Sequence, residues 1–164
     1  RAASAHLRIG AVGCDAWGRL PVRDGVAAVA LSVFAPRNGS ELARVLAEGG
    51  VLLVVTPEPG HLAELVSELD LISVDARKQE RLDDQLGPSF TTLRERRLDF
   101  GLALSRAEAE ALVCMGPSAR HVSAETVRER LAAVPVPRSL WVWTLMVAAS
   151  RRTRFRQNHS IWSA

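Results

Sequence analysis

Residues 51–65 read VLLVVTPEPGHLAEL. The run Val51-Leu52-Leu53-Val54-Val55 has no polar alternation, so it predicts a strand covered on both faces, as in a parallel sheet packed between helices. Pro57, Pro59 and Gly60 end the run, and His61 stands where the strand hands over to a short helix over 60–68, with Leu62, Leu65 and Val66 on its buried side. Sheets of this kind bind ligands beyond the carboxyl ends of their strands. His61 is therefore expected at a ligand edge, although packing or a helix start is the commoner use of a lone histidine there.

The same grammar extends in both directions. Upstream, VAAVALSVF at 26–34 is continuous and apolar and predicts a second buried strand. LRIGAV followed by Gly13 predicts an earlier short strand over about 8–13. Between these strands and the opening stretch, Asn38 with Glu41 three positions on has the spacing of a capping box. The helix it starts carries Leu42, Val45 and Leu46 on one face, and Gly49-Gly50 is expected to stop it. Downstream, 79–86 is helical in pattern, and FTTLRERRLDFGLAL alternates imperfectly and predicts an outer strand. Ser105 with Glu108 forms a second capping box leading to about Met115. Ser123 caps a further helix through Leu131 that Pro135 and Pro137 end, and Leu140 to Ala149 supplies a last strand. Strands alternating with helices give the α/β class, with a mostly parallel sheet and flanking helices.

With 164 residues, 48% hydrophobic and 24% charged, the chain has one domain's worth of sequence and enough apolar side chains for a core. Its longest apolar stretches fall well short of the roughly 20 residues that span a bilayer. It starts with Arg and shows no signal-peptide pattern, which suggests a segment of a longer protein. Cys14 and Cys114 stand 100 positions apart without a C-x-x-C spacing, so they are expected to be small buried residues in a reducing compartment and not zinc ligands. The net charge of +3 comes from the end: Arg151, Arg152, Arg154 and Arg156 lie in a tail without acids, and setting them aside leaves 17 basic against 18 acidic residues. Residues 1–149 are thus read as the domain and 150–164 as a basic tail, expected to be loose, whose charge can attract nucleic acid without reading its sequence.

Three loops are expected at the carboxyl edge of the sheet: Cys14-Asp15-Ala16, Ser32 to Pro36, and Thr56 to His61. An aspartate there can accept a hydrogen bond from an exocyclic amine such as adenine's, although a local turn cap is the commoner duty of Asp. Phe34 can flank a planar or sulfonium group, although an aromatic at a strand end is more often core.

Taken in order, DAWGRLPVRDG, LSVFAPRN, ELARVLAEGG, TPEPGHLAEL, ARKQERLDDQL and LVCMGPSARHV resemble the later part of the RlmA family of large-subunit rRNA guanine-N1 methyltransferases, which includes macrolide-resistance members; the likeness spans roughly residues 8–134. The resemblance implies a partial Rossmann-like class I methyltransferase domain, S-adenosyl-L-methionine as cofactor, a large-subunit rRNA hairpin as partner and a cytoplasmic location. It also implies cofactor contacts at Asp15, Ala16, Ser32, Phe34 and His61, the last in the family's T-P-x-P-x-H-L motif. No catalytic base is implied. The family's opening zinc module, glycine-rich loop and ribose-binding acid have no counterpart in residues 1–164, and the end of the chain departs from the family's closing strand. The expectation is thus a methyltransferase in the complete domain and an inactive piece in isolation, with a binding or regulatory remnant as the alternative. A nicotinamide dehydrogenase would need G-x-G-x-x-G at a strand-to-helix turn, which the sequence does not contain.

Overall fold

The computed structural model describes residues 6, 8–71, 78–116, 121–133 and 138–151. Their elements follow as β1 (Ala27–Val33), α1 (Gly39–Val45), β2 (Leu46–Pro57), α2 (Ala63–Glu68), α3 (Lys78–Leu86), β3 (Phe90–Ala103), α4 (Arg106–Met115), α5 (Ala124–Ala133) and β4 (Arg138–Ser150). One sheet takes all four strands in the order β1-β2-β4-β3. β1 and β2 run the same way: Val26 N–H donates to Val45 O at 3.0 Å, and Gly50 lies beside the backbone of Ala27 and Ala28. β4 runs against β3, since Arg151 N–H donates to Ser89 O while Thr92 reaches Met146. It also runs against β2, because Glu58 pairs with Val142 while Leu52 and Val54 share a core with Met146 and Ala148. The α/β class is as expected, and the sheet is mixed because the last strand enters reversed between β2 and β3. No described helix is long and apolar enough to cross a membrane.

The chain divides into two compact units. The first comprises Arg1–Val54, Arg81–Arg94 and Met146–Ala164. Its core gathers Ala43 and Leu46 with Leu52 and Val54 of β2, Leu82 and Leu86 of α3, Phe90, Met146 and Ala148. Leu52 and Val54 are fully buried, and each such side chain contributes about 1.5–3 kcal/mol. Gly39 is required at the start of α1 because a Cβ there would run into the backbone carbonyl of Gln85.

The second unit comprises Val55–Glu80 and Glu95–Leu145. Three helices meet through pairs spaced i, i+4, namely Leu65 and Leu69, Ala109 and Val113, and Val127 and Leu131. Ser105 and Glu108 complete the predicted capping box of α4, and Ser123 Oγ accepts from Thr126 N–H at 3.1 Å to start α5.

Four expectations fail for physical reasons. Residues 8–13 form no strand: a strand needs a ladder partner, and none of the described strands reaches them. β1 is a strand but is not buried on both faces, since Val29, Leu31 and Val33 are exposed. α1 ends at Val45, not at Gly49, because Gly25 and Val26 N–H take the carbonyls of Arg44 and Val45 and β2 begins at once. Cys14 and Cys114 are both exposed free thiols, not buried ones. At the other end Arg151 is anchored, its Nε donating to Gly87 O at 2.9 Å and Phe90 O at 3.0 Å. The rest of the predicted basic tail, and Pro135 and Pro137, lie outside the described residues.

Candidate functional site

In the first unit, Asp15 closes a local turn. Its Oδ1 accepts from Trp17 N–H at 2.9 Å and its carbonyl accepts from Gly18 N–H at 3.3 Å. The residue is exposed and Ala16 is half-buried. The turn is tied to the loop after β1 by Asn38, whose Nδ2 donates to Trp17 O at 2.9 Å while its Oδ1 accepts from Glu41 N–H at 3.3 Å to cap α1. Asn38 thus does two jobs, tying the turn after Asp15 to the start of α1.

The following stretch is held just as firmly. Arg44 makes a two-pronged pair with Glu41, Nε to Oε1 at 2.8 Å and Nη2 to Oε2 at 2.7 Å. It also donates to Leu20 O, Val22 O and Asp24 Oδ1. Glu41 Oε2 accepts from Leu20 N–H at 2.8 Å. The Arg44 hydrogen bond, then that of Leu20, lowers the Glu41 carboxyl to about 2, and the same partnership raises Arg44. Residues 20–24 are therefore an ordered strap on α1.

The end of β1 and the loop that follows it hold two unsatisfied polar groups. Ser32 and Arg37 are 6% and 7% exposed, and neither Ser32 Oγ nor Arg37 Nε has a hydrogen-bond partner. Burial alone pulls the Arg37 guanidinium below its ordinary range. Buried polar groups are ordinarily paired, because an unmade bond costs about 1–3 kcal/mol. Between them Phe34 takes φ +48° and is 47% exposed, a left-handed backbone that is uncommon for a bulky residue and costs energy to hold. Arg37 escaped the sequence reading; its signal was a charge set directly behind an apolar strand, in A-P-R-N.

In the second unit, His61 Nδ1 lies 3.0 Å from Val142 O. A carbonyl only accepts, so Nδ1 carries the hydrogen. Glu58 N–H donates to the same carbonyl at 3.0 Å, and Thr144 Oγ1 donates to Glu58 Oε1 at 2.5 Å. The T-P-E-P-G-H turn is thus fastened to β4 by Glu58 and His61 as well as stiffened by its prolines. Glu58 and Thr144 were not legible as partners, being 86 positions apart.

Asp15, Ala16, Ser32 and Phe34 belong to the first unit and His61 to the second. No family model matches the chain. It is 47% identical over 135 residues to the 23S rRNA (guanine(748)-N(1))-methyltransferase of Streptomyces fradiae, covering 82% of this chain and 48% of that protein. It is 46% identical over 156 residues to a Micromonospora griseorubida protein assigned as a 23S rRNA (guanine-N(1)-)-methyltransferase, covering 95% of this chain and 51% of that one. The chain is a relative of the RlmA-type rRNA guanine-N1 methyltransferases. It spans about half the length of these curated relatives. Among solved structures, a methyltransferase assigned in Bacillus halodurans superposes with a TM-score of 0.52 at 18% identity, covering 87% of this chain and 78% of that one. This likeness shows the fold alone: a sheet with flanking helices of the α/β class.

Proposed function

We propose that residues 1–164 are part of an enzyme that methylates N1 of a guanine in a large-subunit rRNA hairpin, in the cytoplasm, with S-adenosyl-L-methionine as donor. The observation that carries this reading is the end of β1 and the loop after it, where Ser32 Oγ and Arg37 Nε are buried without partners on either side of the strained Phe34 in sequence, in a chain whose two curated relatives bear that activity in their names. Those names lend no support to an inactive remnant as the origin of the sequence.

The cofactor supplies an electrophilic methyl group. In that transfer an N1–carbon bond would replace the carbon–sulfur bond, and the proton of N1 would pass to solvent. The protein's task is to position and orient, which lowers the barrier without a covalent intermediate. Asp15 and Ala16 are assigned to the adenine, Asp15 as acceptor for an exocyclic amine. Ser32 and Phe34 are assigned to the donor end and incoming base, and Arg37 offers N–H donors to the same ligands. His61 is assigned a cofactor contact of its own, beside its tie to Val142. The target base must be unstacked or lie in an open loop.

The test is methyl transfer to 23S rRNA by the protein completed to its relatives' length, with the product mapped by primer extension. Ser32→Ala and Arg37→Met should each weaken cofactor or RNA binding several-fold while leaving the melting temperature unchanged or higher, since each removes a buried group that has no partner. Methylation at another base, or full activity of both variants, would overturn the assignment.

A further inference from the structure

Pro57 and Pro59 flank Glu58, and proline has no N–H to give. Glu58 therefore holds the one backbone donor between Thr56 and Gly60, and it gives that donor to Val142 O on β4 at 3.0 Å. Its side chain runs along the same strand. Thr144 lies two residues on from Val142, on the same face, and its Oγ1 donates to Glu58 Oε1 at 2.5 Å. The turn that leaves β2 is thus held on β4 by backbone and side chain of a single residue.

The carbonyl that receives Glu58 also receives His61. Nδ1 donates to Val142 O at 3.0 Å, so both lone pairs of that oxygen are used. In a neutral ring a hydrogen on Nδ1 makes Nε2 the acceptor. His61 N–H donates to Glu58 O at 2.9 Å, and the next residue, Leu62, takes φ +55° and packs against the helical core of the second unit. A left-handed leucine persists only where its surroundings hold it. The chain is pinned after His61, so the imidazole is placed by what precedes it: Glu58, the shared carbonyl and the hydroxyl of Thr144.

We propose that Thr144, acting through the Glu58 carboxylate, is a positioning residue for His61: it keeps the imidazole on Val142 O in the form that offers Nε2 as acceptor to a donor group of the cofactor, an amine or a hydroxyl. This role rests on the cofactor contact proposed for His61 and adds what fixes the ring. Neither Thr144 nor Glu58 has to touch the cofactor, and all of the residues involved lie in the second unit.

The test uses the protein completed to its relatives' length. Cofactor affinity is read by calorimetry, methyl transfer is split into kcat and KM, and the His61 ring is followed by nitrogen NMR. Thr144→Val keeps the shape and removes the hydroxyl; Glu58→Met removes the acceptor from the other side of the same bond. Each should weaken S-adenosyl-L-methionine binding about three- to tenfold, the worth of one hydrogen bond, and raise the KM for the cofactor but not for RNA. The ring signals should change from hydrogen on Nδ1 alone to two exchanging tautomers. Thr144→Ser, which keeps the hydroxyl, should restore both affinity and ring signals. In a His61→Ala background neither variant should weaken binding further, because coupled residues do not add. A turn fastened for stability alone would lower the melting temperature and leave the affinity of the folded protein and the ring signals unchanged. That result overturns the proposal, as do additive losses with His61→Ala or a Thr144→Ser variant that fails to recover. Unchanged affinity in His61→Ala overturns the contact of His61 and the positioning role with it. A loss in His61→Ala beside none in Thr144→Val and Glu58→Met overturns the positioning role alone.

Discussion

At the residue scale, Arg44 and Glu41 form the polar contact on which the lead-in to β1 depends. One guanidinium gathers the carbonyls of Leu20 and Val22 and the carboxylates of Asp24 and Glu41. Glu41 titrates at about 2 in the folded protein against an ordinary 4.5. Between those values the unfolded chain holds the proton more tightly, so stability rises with pH there. The contribution is present above the ordinary value and is lost as pH falls through about 2. Glu41→Gln should therefore melt lower than the parent at pH 7, and the difference should shrink as pH approaches 2; equal melting temperatures from pH 7 to 2 would refute the role. The sequence disclosed Asn38 and Glu41 as a cap but not Arg44, because capping is written in a three-residue spacing whereas Arg44 works on partners 20 to 24 positions away. Arg37 was hidden for a related reason: an arginine in a loop looks solvated until burial is known.

At the scale of elements, what was legible was local and what was not was pairing. Both capping-box spacings gave helix starts because N-cap and N–H donor lie within four residues, although only Ser105 and Glu108 close the reciprocal box while the Glu41 carboxylate turns to Arg44 and Leu20; the apolar run at 51–55 gave β2. The end of α1 was not legible, since it is decided by Gly25 and Val26 approaching from another element. Residues 8–13 read as a strand by composition, yet a ladder needs a neighbour. The helical core of the second unit is the part that local patterning accounts for best, and it can be tested by truncation. Leu131 is 1% exposed among Leu65, Leu69, Ala109, Val113 and Val127. Leu131→Ala removes its transfer energy and leaves a cavity, so urea unfolding should show a loss of about 2–5 kcal/mol. A loss below about 1 kcal/mol would mean that the helices close over the gap, contrary to a tightly packed i, i+4 seam.

At the scale of the whole molecule, charge and apolar surface are segregated along the chain. The bare hydrophobics concentrate in residues 9–34, whereas the basic excess lies at the end, where Arg151, Arg152, Arg154 and Arg156 follow a body with one more acid than base. Arg151 is engaged with Gly87 and Phe90, so three arginines remain to be tested by deleting residues 152–164. Phosphate contacts carry no sequence information, and each one lost lowers the dependence of log affinity on log salt by about 0.7 to 0.9. In the protein completed to its relatives' length, the deletion should therefore flatten the salt dependence of RNA binding by about two to three. The loss of affinity should be equal for a cognate hairpin and an unrelated one, as filter binding across a salt series will show. A loss confined to the cognate hairpin would place base recognition in the tail; an unchanged slope would assign the phosphate contacts to other parts of the protein.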